Sequence, residues 1–132
     1  MNTISYLLVL LLALPALLAI VLSVNAFRSE KTIFRMVASV IGIHFALTIV
    51  IAALWFAHGS HPESFHYGDL LVTRAAVFPF DLSIDGYGLT YLILCSFSAL
   101  VVSRFSRFYM HREDGYSRFF ASVCMMVVGL DL

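Results

Sequence analysis

Long uncharged runs dominate the chain. Met1 to Phe27 holds no charged residue, Met36 to Ala57 holds none and only His44 as a titratable group, and Gly86 to Ser103 again holds none. A helix needs about 20 apolar residues to cross a ~30 Å hydrocarbon core. The pattern therefore predicts three complete spans, over about 3–26, 36–57 and 86–109. A further apolar run begins at Phe119 and meets Asp131. The residues between them rise only about 18 Å as a helix, too little to cross. An incomplete fourth span is expected over 117–132, which makes 1–132 the N-terminal transmembrane segment of a larger polytopic subunit. Pro15 falls mid-span and predicts a kink in the first helix.

The stretch between spans 2 and 3 has a different period. Phe80, Leu82 and Ile84 alternate with Asp81 and Ser83, as in a half-buried strand. Leu70 to Val77 reads as a second strand that ends at Pro79, and Gly68-Asp69 reads as a turn. Asp85 stands where an N-cap belongs, directly before the third helix. Gly86 and Gly88 allow close backbone packing in its first turn. The fold class that follows is all-α integral membrane, with three complete transmembrane helices, the start of a fourth, and a small β-hairpin-like outer loop between helices 2 and 3.

Composition narrows the function classes. Hydrophobic residues make up 61% and charged residues 12%, against roughly a quarter charged in a soluble domain. Most soluble enzymes are excluded, as are nucleic-acid binders that work through a basic face. The partner that composition does imply is the lipid bilayer. The N-terminus carries no Lys or Arg before its long apolar run, so a retained helix is expected rather than a cleaved signal. Arg28, Lys31 and Arg35 follow span 1, and Arg104, Arg107, Arg112 and Arg118 follow span 3. The 58–85 loop holds only Arg74, against Glu63, Asp69, Asp81 and Asp85. The positive-inside rule then puts the N-terminus and the 58–85 loop outside.

Several residues carry candidate chemistry. His58, His61 and His66 cluster in the outer loop, but a zinc site needs about four ligands and no Cys lies near them, so a solvated loop is expected and no metal. Cys95 and Cys124 lie within spans and read as packed thiols. Trp55, Tyr87 and Tyr91 lie near span ends and suit an interfacial aromatic belt. His44, about a third of the way into span 2, is open to two readings: a step in a proton path, or a histidine bonded to a neighbouring helix. Asp131 lies deep in span 4, where a carboxylate is costly, and reads either as part of an ion path or as a frayed end. No cofactor and no catalytic residue is expected.

Asp85-Gly86 opens a span that ends in Ser106-Arg107-Phe108-Tyr109-Met110, followed by Glu113-Asp114-Gly115-Tyr116-Ser117-Arg118-Phe119-Phe120. This tandem resembles the N-terminal region of the large antiporter-like subunit of respiratory complex I, chain L or chain 5, and the A subunit of Mrp-type sodium/proton antiporters. The resemblance covers about residues 80–122. It implies a structural motif role for Asp85, Gly86, Ser106, Tyr109, Gly115 and Arg118. It also implies a subunit of a multi-subunit, proton- or sodium-translocating membrane complex such as an NADH-quinone oxidoreductase, in the bacterial inner membrane. The spacing of Asp114 and Arg118 suits one face at the start of helix 4. Arg104-Phe105-Ser106 departs from the complex I pattern and is similar to the inorganic carbon pump of DabB type. That branch works with a zinc-containing, carbonic-anhydrase-like peripheral partner. A small helical membrane scaffold or assembly protein is the remaining reading. The superfamily moves ions along a row of Lys, Glu and His on later helices. No such row is present, so residues 1–132 alone are expected not to transport ions.

Overall fold

The computed structural model describes residues 3–24, 29–72, 77–110 and 115–132. In chain order they form α1 (Thr3–Val24), α2 (Glu30–Ala57), β1 (Glu63–Val72), β2 (Val77–Ile84), α3 (Gly86–Tyr109) and α4 (Tyr116–Asp131). The first three helices are long and apolar enough to cross a membrane. The 16 residues of α4 rise about 24 Å, short of the core thickness. The expected fold class is the one found, an integral membrane helical bundle with a two-stranded antiparallel sheet between α2 and α3.

Two expectations about the charged segments change. α2 begins at Glu30, so Lys31 and Arg35 belong to its first turns and not to a loop. Glu30 suits the positive end of the helix dipole there. Apolar runs mark only the lipid-facing length of a helix, and α2 continues past it into the interface. Arg104 and Arg107 likewise sit on the last turns of α3, and Arg118 on the first turn of α4. Arg107 stacks over the Phe34 ring at 4.5 Å, joining α3 to α2. Arg28, Arg74, Arg112 and Asp114 lie outside the described residues, and with them the Asp114–Arg118 spacing. All described Lys and Arg residues gather at the end of the bundle that holds the α2 start, the α3 end and the α4 start.

The hairpin differs from its sequence reading. Gly68-Asp69 is no turn; it lies inside β1, where Gly68 at φ 143 sits at a register shift between His66 and Gly68. A bulge and a tight turn both call for a backbone that only glycine adopts freely, so sequence alone confuses them. Leu70–Val77 is correspondingly split, since β1 ends at Val72 and β2 starts at Val77. Pro79 lies within β2, paired with Asp69. A two-stranded sheet has only edge strands, where a missing N–H is tolerated. Leu82 and Ile84 are buried while Asp81 and Ser83 are exposed, as their alternation implied.

Two apolar clusters hold the bundle. One, toward the basic end, gathers Leu18, Leu22, Ile33, Val37, Ala99, Phe120 and Cys124 among others. The other, under the hairpin, gathers Ile4, Leu8, Ile51, Trp55, Leu82 and Leu89 among others. Cys95 and Cys124 are both free thiols. The hairpin is tied to α1 by Tyr67, whose hydroxyl donates to the Ser5 carbonyl at 2.7 Å and accepts from Ser5 Oγ at 2.6 Å. Trp55 is buried, and its indole N–H donates to the His61 carbonyl at 2.9 Å. It is a packing anchor at the α2 exit, which corrects its reading as a belt residue; Tyr87 and Tyr91 are exposed as a belt requires.

Candidate functional site: a buried polar layer

The two apolar clusters do not meet directly along the helices. On α2 they are separated by His44 and Thr48, on α3 by Ser96, and on α1 by Pro15. All four of these residues are buried. Asp131 reaches the same level from the end of α4. His44 lies at the middle of α2, deeper than the third of a span that the apolar run alone suggested. The bundle thus carries a thin polar layer with apolar packing on both sides.

His44 Nε2 and Asp131 Oδ2 are 2.6 Å apart, and the two side chains are 1% and 0% exposed. Asp131 is therefore no frayed end. Its carboxylate is held against α2 by α4, which packs on α1 and α3. A hydrogen bond at this distance takes one proton between Nε2 and Oδ2. His44 Nδ1 and Asp131 Oδ1 are also buried and have no hydrogen-bond partner among the described residues. With that proton alone, the pair has a net charge of minus one. A second proton, on Nδ1 or Oδ1, makes it neutral overall. Moving between the two states takes up or gives off one proton.

Thr48 lies one turn beyond His44 on the same face of α2. Its hydroxyl donates to the His44 carbonyl at 3.0 Å and accepts from Ser96 Oγ at 3.0 Å. This back-bond to the preceding turn is one that Thr makes readily in apolar helices. The link across to Ser96 fixes α2 against α3, and so fixes the helix that presents His44. Sequence reasoning did not single out Thr48 or Ser96, although a hydroxyl four residues after an intramembrane His was a readable signal.

The outer histidines do not converge on one point. His58 Nδ1 donates to the Leu54 carbonyl at the end of α2, His61 offers its carbonyl to Trp55, and His66 Nδ1 donates to Asp81. Asp69 lies 3.8 Å from the other nitrogen of His66. This second His–Asp pair is exposed on the hairpin face.

The motif residues occupy helix ends. Asp85 accepts from the Gly88 N–H at 2.6 Å and caps α3. A Cβ at Gly88 would stand 2.9 Å from that same carboxylate oxygen, so the cap and the glycine require each other. Gly86 sits beside Trp55, Ser106 offers its carbonyl to the Met110 N–H, and Gly115 offers its own to the Phe119 N–H. Tyr109 is exposed at the α3 end. These are terminating contacts, and none of them touches the polar layer.

The motifs lie within a matched segment. Residues 71–120 match the family model for the NADH-Ubiquinone oxidoreductase (complex I) chain 5 N-terminus. Over this segment the chain is similar to the antiporter-like subunit superfamily. No curated protein matches the chain. The superfamily consists of proton-translocating membrane subunits, in keeping with three apolar spanning helices. The match takes in β2, α3 and the first turn of α4, and hence Asp85, Gly86, Ser106, Tyr109, Gly115 and Arg118. His44 and Asp131 both lie outside it.

Proposed function

We propose that the protein is part of a proton- or sodium-translocating membrane subunit resembling chain L of NADH-quinone oxidoreductase, with His44 and Asp131 as a protonatable step in its ion path. The observation that carries this reading is the buried His44–Asp131 pair in an antiporter-like chain, with one polar atom on each residue that has no partner among the described residues. Ionisable groups are costly at membrane depth and are found there chiefly where ions or protons move. The motif residues at the helix ends serve the seating of α3 and α4. Partners are further membrane subunits of one complex, and the site is a bacterial inner membrane. A second reading, the carbon-pump branch with its zinc-containing peripheral partner, is supported by Arg104-Phe105-Ser106 at the α3 exit.

Function is tested in inverted membrane vesicles from cells with and without the gene. Substrate-driven acidification of the lumen should fall at least several-fold without the gene and return with the plasmid-borne copy. Unchanged acidification together with unchanged sodium uptake would refute an ion-translocating role.

The gathering of the described basic residues at one end supports one orientation. The hairpin and the N-terminus face out, and the α2 start faces the cytoplasm. After replacement of Cys95 and Cys124, an impermeant thiol reagent added to intact cells should label Ser60→Cys and leave Lys31→Cys unlabelled. The opposite pattern would invert the topology.

A further inference from the structure

A cavity of about 750 Å³ opens where the start of α2, the end of α3 and the start of α4 meet, at the basic end of the bundle. Lys31 and Arg107 line it together with Glu30, which leaves its described charged residues with a net charge of plus one. Phe34, Phe108 and Tyr116 supply aromatic walls beside them. We propose that this cavity binds the headgroup of an anionic phospholipid, with the phosphodiester against Lys31 and Arg107 and the glycerol and upper chains against the aromatic rings. The site is independent of the His44–Asp131 pair, which lies mid-bundle, and needs only that the three long helices span the membrane.

Depth, size and charge agree on this ligand. The cavity sits at helix ends, where spanning segments leave the hydrocarbon and lipid headgroups lie. Its volume falls within the ~300–1,000 Å³ of small-molecule sites. Arg107 sets its guanidinium over the Phe34 ring, 4.5 Å from the centroid. A guanidinium held against an aromatic ring keeps N–H donors for a phosphate, and Arg takes phosphate oxygens in pairs. Lys31 is exposed in the first turn of α2 and adds a point charge. Ser29 stands at the N-cap with no side-chain bond to the helix, so it leaves the first N–H groups of α2 open to another acceptor. A free phosphate would find the same donors, but the aromatic walls favour a ligand with an apolar body. Basic pockets between transmembrane helices recognise phospholipid headgroups in this way. A headgroup held here bridges α2, α3 and α4.

The test uses the protein in its native membrane complex, purified in detergent and washed free of loosely held lipid. Phosphatidylglycerol with a photoreactive headgroup is titrated in and irradiated, and its crosslinks are mapped to peptides. They should fall within 29–34 and 107–110. Unlabelled phosphatidylglycerol should compete, whereas phosphatidylcholine and millimolar inorganic phosphate should not. Lys31→Gln and Arg107→Gln should each weaken binding about fivefold, the effect of one basic residue near an anionic lipid surface, and together at least tenfold. Arg104→Gln removes the same charge from the same end of α3 but from outside the described lining, and should leave binding unchanged. If Arg107→Gln does not assemble, Lys31→Gln carries the test, since Lys31 is exposed. Equal loss in Arg104→Gln would reduce the site to the general positive field of this end and overturn it. Competition by phosphatidylcholine, displacement by inorganic phosphate, crosslinks confined to other parts of the chain, or undiminished binding in Lys31→Gln would each overturn it as well.

Discussion

His44→Ala should be the most damaging single substitution in the chain. It leaves the Asp131 carboxylate buried with no partner. Removing the partner of a buried charge costs about 3–5 kcal/mol, most of it the charge left uncompensated. Assembled protein on a native gel should fall accordingly. Asp131→Asn is milder for the fold, because the amide fills the same volume and still bonds Nε2, and assembly should stay near normal. It removes a position that exchanges protons, so transport per assembled complex should fall at least tenfold. The double substitution His44→Leu with Asp131→Leu separates the two roles. Apolar replacement of a buried pair is often neutral or stabilising, so assembly should recover while transport stays lost. Recovery of transport in the double variant would show that the pair is a packing device. Assembly and transport are read from the same membranes.

The spans were legible because lipid demands long apolar runs, and the runs in this chain are unbroken. His44 and Asp131 were legible singly, since each is an ionisable group in an apolar run. Their meeting was not, because nothing local relates positions so far apart in the chain. It depends on α4 packing beside α1 and α3 at the depth that brings its last turn level with the middle of α2. Gly68 shows a different limit. Its positive φ was implied by residue type, but whether the backbone turns back or bulges there depends on the partner strand. Ser5 and Tyr67 went unread for the reason that hid the pair. A serine in a first turn and a tyrosine in a strand are unremarkable until the hairpin folds onto α1.

Phe120→Ala should loosen α4 and, through it, the polar layer. Phe120 is fully buried in the cluster at the basic end, with its ring 4.9 Å from Tyr116 and 5.4 Å from Phe119 between centroids. Ser117 on the preceding turn donates to the Leu22 carbonyl of α1 at 2.9 Å. These contacts set where α4 enters the bundle, and the entry point fixes the depth at which Asp131 meets His44. A buried Phe→Ala costs about 3–5 kcal/mol in a water-soluble core. In lipid the transfer share falls away, because the tails are as apolar as the side chain, and lost packing remains. A cost of about 2 kcal/mol is expected on these grounds. Detergent-resistant assembly should drop, and transport with it. Phe119→Ala, at a half-buried neighbour, should cost less than half as much. Phe120→Met fills most of the volume with an adaptable apolar chain and should restore both readouts together. If assembly returned with Met while transport did not, Phe120 would act on the ion path beyond the seating of α4. If Phe120→Ala assembled normally, the depth of α4 would be set by Ser117 and the α1 contact instead.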